Sequence, residues 1–92
     1  MFQVLIISYD LSEPGQNYSS VLKKIKEVGA SWARIGGSAY LVYTEKSPVE
    51  VRDSISTELD KNDKIFVGIA PAPSAWKGMP KEVSAWIHEN QK

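Results

Sequence analysis

The chain has 92 residues, a length that suffices for one modest core. Its composition, 42% hydrophobic and 24% charged, is too apolar for an intrinsically disordered chain. We therefore expect a single domain over residues 1–92. Its 11 basic and 11 acidic residues cancel, which excludes an overall electrostatic attraction to nucleic acid or anionic membranes. The absence of cysteine excludes disulfides, thiolate metal sites and cysteine nucleophiles. The apolar stretch at residues 4–7 is too short for a signal peptide or a membrane span, so we expect a cytoplasmic protein without membrane contact.

The first predicted elements are a buried strand and an amphipathic helix. Residues 2–10 form an apolar run that ends in Asp10, which is typical of a central strand buried on both faces. Pro14-Gly15 predicts a turn, and Asn17 stands where a helix N-cap is expected. Apolar residues then recur at helical spacing: Tyr18, Val21, Leu22, Ile25 and Val28. This spacing predicts a helix, with Gly29 as the glycine that ends it.

A hairpin and a second helix follow. Residues 32–35 and 38–44 are β-branched and aromatic runs on either side of Gly36-Gly37. Two adjacent glycines at such a point predict a tight hairpin turn with positive φ. Ser47-Pro48-Val49-Glu50 is a capping box with proline at the first helical position, so a helix begins there.

The last part of the chain predicts a fourth strand and a helical tail. Residues 64–69 form the strand, and Pro80 begins a short helix. The residues of this helix that face inward are Val83, Trp86 and Ile87. The element order is thus β-α-β-β-α-β with a C-terminal helix, which predicts an α+β, ferredoxin-like split βαβ fold.

The pattern of the strands bears on assembly. Two helices cover one face of a ferredoxin-like sheet, yet apolar residues of the first strand point to both faces, Val4 and Ile6 to one and Leu5 and Ile7 to the other. An apolar open face of this kind needs a cover. The second subunit of a homodimer and the C-terminal helix are the two candidates.

Asp10 is the candidate catalytic and metal-binding residue. A carboxylate at a strand tip is a hard oxygen ligand that suits Mg²⁺ or Mn²⁺. Two copies of Asp10 about a two-fold axis would assemble a metal site for phosphodiester hydrolysis, with Ser8 and Tyr9 flanking it. In the alternative interpretation, Asp10 caps a turn by accepting backbone N–H bonds near Ser12 or Glu13.

The sequence also contains candidates for nucleic-acid binding. The basic residues that could contact phosphates are Lys23, Lys24, Lys26 and Arg34. The alternative is that they form an ordinary solvated helix face. Residues 37–43 partly resemble the signature of the RNA recognition motif, which stacks bases on third-strand aromatics, but only Tyr40 is left to stack. We interpret this segment as a generic strand.

Taken together, the chain resembles the small CRISPR-associated Cas-two nuclease family and, more closely, its SinR-like relatives. The resemblance is carried by residues 6–11 at the first strand tip, 36–42 in the hairpin, and 76–82 with Trp86 in the tail. It implies a ferredoxin-like homodimer with its sheet faces together and the strand-end aspartates near the two-fold axis. Some members of the family are divalent-metal-dependent nucleases, and others are structural partners of a spacer-integrating nuclease. Asp10 alone matches the family's catalytic position.

Two functions are therefore predicted. The first is a dimeric, Mg²⁺- or Mn²⁺-dependent endonuclease acting on RNA or DNA, with Asp10 as the metal ligand. The alternative is a non-catalytic dimeric module that binds nucleic acid, a nucleotide or a protein. The two differ in whether Asp10 is needed for a chemical step.

Overall fold

The structure is a computed structural model that describes residues 1–12 and 18–92. The strands are β1 (Gln3–Asp10), β2 (Ser31–Gly36), β3 (Ala39–Thr44) and β4 (Lys64–Ile69). The helices are α1 (Ser19–Glu27), α2 (Pro48–Ser56) and α3 (Lys81–Asn90). The predicted turn at Pro14-Gly15 and the predicted N-cap at Asn17 lie outside the described residues.

The four strands form one antiparallel sheet in the order β2-β3-β1-β4. β1 is central and pairs with β3 on one side and with β4 on the other. The predicted α+β class, with the ferredoxin-like split βαβ arrangement, is confirmed. Within the described part of the chain, none of the helices combines the length and apolar character needed to cross a bilayer.

One face of the sheet, the helix face, packs against α1 and α2. Leu5 and Ile7 of β1 lie on this face and are completely buried, together with Val42 of β3, which pairs with Leu5. The helices contribute buried residues from one side each: Val21 and Ile25 from α1, Val51 and Ile55 from α2. Each such side chain contributes about 1.5–3 kcal/mol when fully buried, so this layer is the main hydrophobic core.

The opposite face of the sheet is partly covered by α3. Ile87 is 2% exposed and packs against Val4 and Leu41, in a second apolar cluster that also includes Val83 and Trp86. The predicted inward side of this helix is thus confirmed. Trp86 fixes the helix over β2 because its Nε1 donates a hydrogen bond to Ser31 Oγ at 3.1 Å. The C-terminal helix therefore covers this face over β2 and β3, and it leaves open the part formed by the end of β1 and the start of β4.

The predicted capping box begins α2. The Glu50 N–H donates to Ser47 Oγ at 3.2 Å, and the Ser47 N–H donates to Glu50 Oε1 at 3.0 Å. The bond from the Ser47 N–H to the carboxylate, followed by the contribution of the Ser47 hydroxyl, holds the pKa of Glu50 below its usual value. Two backbone N–H groups that have no partner within the helix gain an acceptor in this way, and this fixes where α2 starts.

The backbone conformation of the glycines in the hairpin and after α1 differs from the prediction. Gly37 and Ser38 connect β2 to β3, whereas Gly36 is the last residue of β2 and follows a register shift between Arg34 and Gly36. Among the described residues, the glycine with positive φ is Gly78, at 81°. The prediction of positive φ in the hairpin is therefore wrong, because the bulge turns the chain without it.

Gly29 follows the C-cap residue Val28, as predicted for the glycine that ends α1. It does not adopt the left-handed conformation, however. A Cβ at this position would lie 2.7 Å from the carbonyl oxygen of Tyr43. Gly29 is therefore required by the close approach of the chain to β3.

Candidate functional site

Asp10 is the last residue of β1, and its side chain lies on the open part of the sheet. Because side chains alternate along a strand, the buried Ile7 places Ser8 and Asp10 on the face opposite α1 and α2. Both residues are exposed. Tyr9 is 8% exposed and belongs to the core of the helix face. Ser8 thus lies beside Asp10 as predicted. Tyr9 also lines the depression at Asp10, although most of its side chain is buried on the helix face.

Two residues of β4 complete this surface. In the register of the sheet, Lys64 is directly opposite Asp10 and Phe66 is directly opposite Ser8. We call Ser8, Asp10, Lys64 and Phe66 the open patch; together with Tyr9 and Ile65 they line a shallow depression of about 190 Å³. Phe66 is 65% exposed, and its ring lies over Gly68, where an added Cβ would be 3.1 Å from it. The open patch therefore combines one carboxylate, one ammonium, one hydroxyl and an exposed aromatic ring.

The open patch contains one potential ligand for a divalent cation, the Asp10 carboxylate. Among residues 1–12 and 18–92, no group of three or more His, Asp or Glu side chains is placed to hold a metal ion. Mg²⁺ is typically bound by one or two carboxylates with water and phosphate oxygens. Asp10 offers one such carboxylate, and the positive charge of Lys64 opposite it disfavours a cation. A divalent ion held at Asp10 would need further oxygen ligands from outside the open patch.

The alternative role of Asp10, as a turn cap, is contradicted at one of its two proposed donors. The backbone N–H of Ser12 donates to Asp63 Oδ1 at 2.8 Å. The other proposed donor, Glu13, lies outside the described residues. At Ser12 the capping oxygen therefore comes from a residue just before β4.

Asp63 accepts several hydrogen bonds at the end of the sheet, and we call this arrangement the Asp63 clamp. Its Oδ1 accepts from Ser12 N, from Ser12 Oγ at 3.0 Å and from the Tyr18 hydroxyl at 3.3 Å. Its Oδ2 accepts from the Asp60 N–H at 2.9 Å. These bonds, first the one from the Ser12 backbone, hold the pKa of Asp63 below its usual value.

The predicted basic residues lie in two groups away from the open patch. Lys23 and Lys24 line a depression on α1 that they share with the acidic residues Glu27 and Glu58. The two carboxylates reduce the positive electrostatic potential around Lys23 and Lys24. These two lysines therefore resemble a solvated helix face more than a continuous phosphate track.

The second basic group surrounds an exposed tryptophan on β2. Lys26 Nζ lies 4.6 Å from the ring centroid of Trp32, which is 41% exposed. Arg34 is two residues further along the same strand, and its guanidinium donates to the carbonyl oxygens of Gly36 at 3.1 Å and Gly37 at 3.3 Å. Arg34 thus stabilises its own hairpin.

Tyr40 is buried on the helix face. It is 2% exposed, and its ring contacts those of Trp32 and Tyr9 at centroid distances of 5.8 and 6.4 Å. Burial, with a smaller contribution from Tyr40, raises the pKa of Tyr9, while Arg34 acts in the opposite direction. A buried ring has no face for a base, so the interpretation of residues 37–43 as a generic strand agrees with the structure.

Lys64 and Phe66 are residues of the candidate site that sequence reasoning missed. The alternation of β4 shows that they share a face, but only the strand register places that face beside Asp10.

Comparisons with protein-family models, with curated proteins and with solved structures return no match for the chain. The resemblance to the Cas-two and SinR-like proteins stays a prediction.

Proposed function

We propose that the chain works as a homodimer, similar to the Cas-two proteins, that cleaves phosphodiester bonds of RNA or DNA. In this proposal two open patches face each other, and the two Asp10 carboxylates together hold Mg²⁺ or Mn²⁺. The observation that carries it is the position of Asp10, exposed on a part of the sheet face that α3 leaves uncovered, beside an exposed phenylalanine.

Phe66 supports association through this surface. An aromatic side chain that is 65% exposed on an edge strand gains hydrophobic free energy when a partner covers it. Interfaces typically place aromatic residues at their centre and charged residues at their rim. The open patch has this arrangement, because Asp10 and Lys64 lie at the strand ends and Phe66 lies inward of them.

The residues of the open patch have separate roles in the proposed reaction. The Asp10 carboxylates hold the ion, which when bound would supply a Lewis acid that lowers the pKa of water for attack on phosphorus. Lys64 binds and orients the phosphate group by its charge. The Ser8 hydroxyl donates a further hydrogen bond to a phosphate oxygen.

The second candidate function is a non-catalytic dimeric binding module. It is favoured by the position of Lys64 directly opposite Asp10, since a lysine can neutralise the carboxylate without any metal ion. In that case the open patch binds an anionic partner or a second subunit, and Asp10 orients the lysine.

The dimer is tested by Phe66→Ser, with Ile69→Ser as the matched control. Both residues are exposed apolar side chains of β4, at 65% and 57%, but Ile69 lies on the helix side of the sheet. Analytical ultracentrifugation at micromolar concentration should give a dimer for the wild type and for Ile69→Ser, and a monomer for Phe66→Ser. A monomeric wild type would refute the proposal.

The chemistry is tested by Asp10→Asn, assayed on single- and double-stranded RNA and DNA with Mg²⁺ or Mn²⁺. We expect cleavage to be lost. The melting temperature should stay close to that of the wild type, because substituting an exposed side chain usually changes the free energy of unfolding by about 0.5 kcal/mol or less. A wild type that cleaves none of these substrates with either ion would leave the binding module as the function. Cleavage by Asp10→Asn at the wild-type rate would remove Asp10 from the mechanism.

A further inference from the structure

The Asp63 clamp lies directly beyond the strand pair that contains Asp10. Asp10 and Lys64 form the last pair between β1 and β4, and Asp63 is the residue before Lys64. Ser12, which donates both its N–H and its hydroxyl to Asp63, is two residues after Asp10. The carboxylate of Asp63 thus continues the contact between the two chain segments where the backbone ladder stops.

We propose that Asp63 is the positioning residue for Asp10: its carboxylate fixes the segment after β1 and thereby holds Asp10 on the open patch. The role of Asp10 in this statement rests on the proposed function. The effect of Asp63 on the position of Asp10 does not depend on the proposed function.

The physical reason is the weakness of terminal strand pairs. A residue at the end of a strand opens locally at little cost unless later contacts secure it. Asp63 supplies those contacts from two directions, since it bonds to Ser12 after β1 and to the backbone of Asp60 before β4. Hydrogen bonds to an ionised carboxylate are stronger than neutral ones. Both segments are therefore held against one group, and the Asp10–Lys64 pair between them is kept in register.

An aspartate is required at this position because both of its oxygens accept. Oδ1 accepts from Ser12 and Tyr18, and Oδ2 accepts from Asp60. Asparagine has one acceptor oxygen, so its amide NH₂ would face either the Asp60 N–H or the Ser12 N–H. The substitution Asp63→Asn therefore breaks the clamp on one side while it preserves the size of the side chain.

The experiment compares the wild type with Asp63→Asn and with Asp60→Asn as a control. The control removes the same charge from the same connection, and Asp60 contributes its backbone N–H to the clamp. Amide hydrogen exchange of Ser12 and the carboxyl carbon NMR signal of Asp10 report on position. Mn²⁺ line broadening around Asp10 reports on metal affinity.

We expect Asp63→Asn to accelerate exchange at Ser12 by about tenfold or more, to shift the Asp10 carboxyl signal, and to weaken Mn²⁺ binding at Asp10 in a protein that remains folded by circular dichroism. Asp60→Asn should match the wild type in all three. Unchanged exchange at Ser12 and an unchanged Asp10 signal in folded Asp63→Asn would overturn the proposal.

Two further outcomes are distinguishable. If the wild type shows no Mn²⁺ effect at Asp10, the metal site of the proposed function fails, and the exchange rate with the Asp10 signal still decides the role of Asp63. If Asp63→Asn does not fold, Ser12→Ala takes its place, since it removes one donor of the clamp and keeps the backbone N–H. A displaced Asp10 signal in Ser12→Ala supports positioning, and an unchanged one refutes it.

Discussion

Two aspartates at the same end of the sheet have different environments. Asp10 is exposed opposite Lys64, whereas Asp63 accepts hydrogen bonds through both of its oxygens. The position of Asp10 at the end of an apolar run is visible in the sequence. Asp63 is one of several polar residues in the connection between α2 and β4, and only its donors distinguish it. The aspartate that the sequence singles out is thus exposed, and the one that it does not single out is held by several hydrogen bonds.

The lowered pKa of Asp63 predicts a pH dependence of stability. A carboxyl whose pKa is lower in the folded state binds its proton less readily there than in the unfolded chain. Its stabilisation is therefore complete above the unfolded pKa of about 3.9 and is lost as the pH falls through the folded pKa. We expect the difference in melting temperature between the wild type and Asp63→Asn to be constant above about pH 5 and to shrink below about pH 4.

Thermal denaturation followed by circular dichroism across this range measures the effect, with Asp60→Asn as the control for the lost charge. A difference between the wild type and Asp63→Asn that stays the same down to about pH 2 would contradict this account.

At the scale of elements, the connection from α1 to β2 lies tightly against the end of β3. The Ala30 N–H donates to the Tyr43 carbonyl oxygen at 2.8 Å, and Thr44 Oγ1 donates to the Val28 carbonyl oxygen at 2.8 Å. Thr44 is 2% exposed, so its hydroxyl is satisfied inside the core by this bond. Gly29 lies between these two bonds, which is why no side chain fits there.

We predict that Gly29→Ala destabilises the protein by about 1–3 kcal/mol, the usual cost of forcing atoms into a packed site. The added Cβ would meet the Tyr43 carbonyl oxygen at 2.7 Å, and backbone atoms on both sides must move. Gly37→Ala is the matched control, because an added Cβ there meets nothing within 4 Å. Urea unfolding of both variants measures the difference, and equal midpoints would show that the connection adjusts without cost.

At the scale of the whole molecule, the two basic groups and the open patch lie on different surfaces. Lys23 and Lys24 belong to α1, which covers the helix face, whereas Asp10 and Lys64 lie on the opposite face. The net charge is zero. Any binding to nucleic acid must therefore come from local groups, and the buried Tyr40 contributes no base stacking.

We predict that nucleic-acid binding is weak, electrostatic and independent of sequence. The double variant Lys23→Glu, Lys24→Glu should lower the affinity for all sequences alike. It should also reduce the slope of log K against log salt by about 0.9 for each duplex phosphate that the protein no longer neutralises. Fluorescence anisotropy over a salt series measures this slope.

The control for this measurement is Lys77→Glu, Lys81→Glu, which makes the same change in net charge in the segment around the start of α3. Equal reductions in affinity for both double variants would point to net charge alone. Binding that prefers one sequence and resists salt would contradict the electrostatic account.

The sequence by itself determined the order of the elements, the start of α2 at its capping box, the inward side of α3 and the place of Asp10 at a strand end. Each of these depends on neighbours within a few residues, through hydrophobic period or through a local hydrogen bond.

The tertiary structure alone decided that α3 covers part of the second sheet face, that Tyr40 is buried, and that Lys64, Phe66 and Asp63 stand beside Asp10. The period of a strand shows which side chains share a face, but it does not show which element meets that face. Strand register and helix docking depend on contacts between residues far apart in the chain, and these are formed only when the whole core packs.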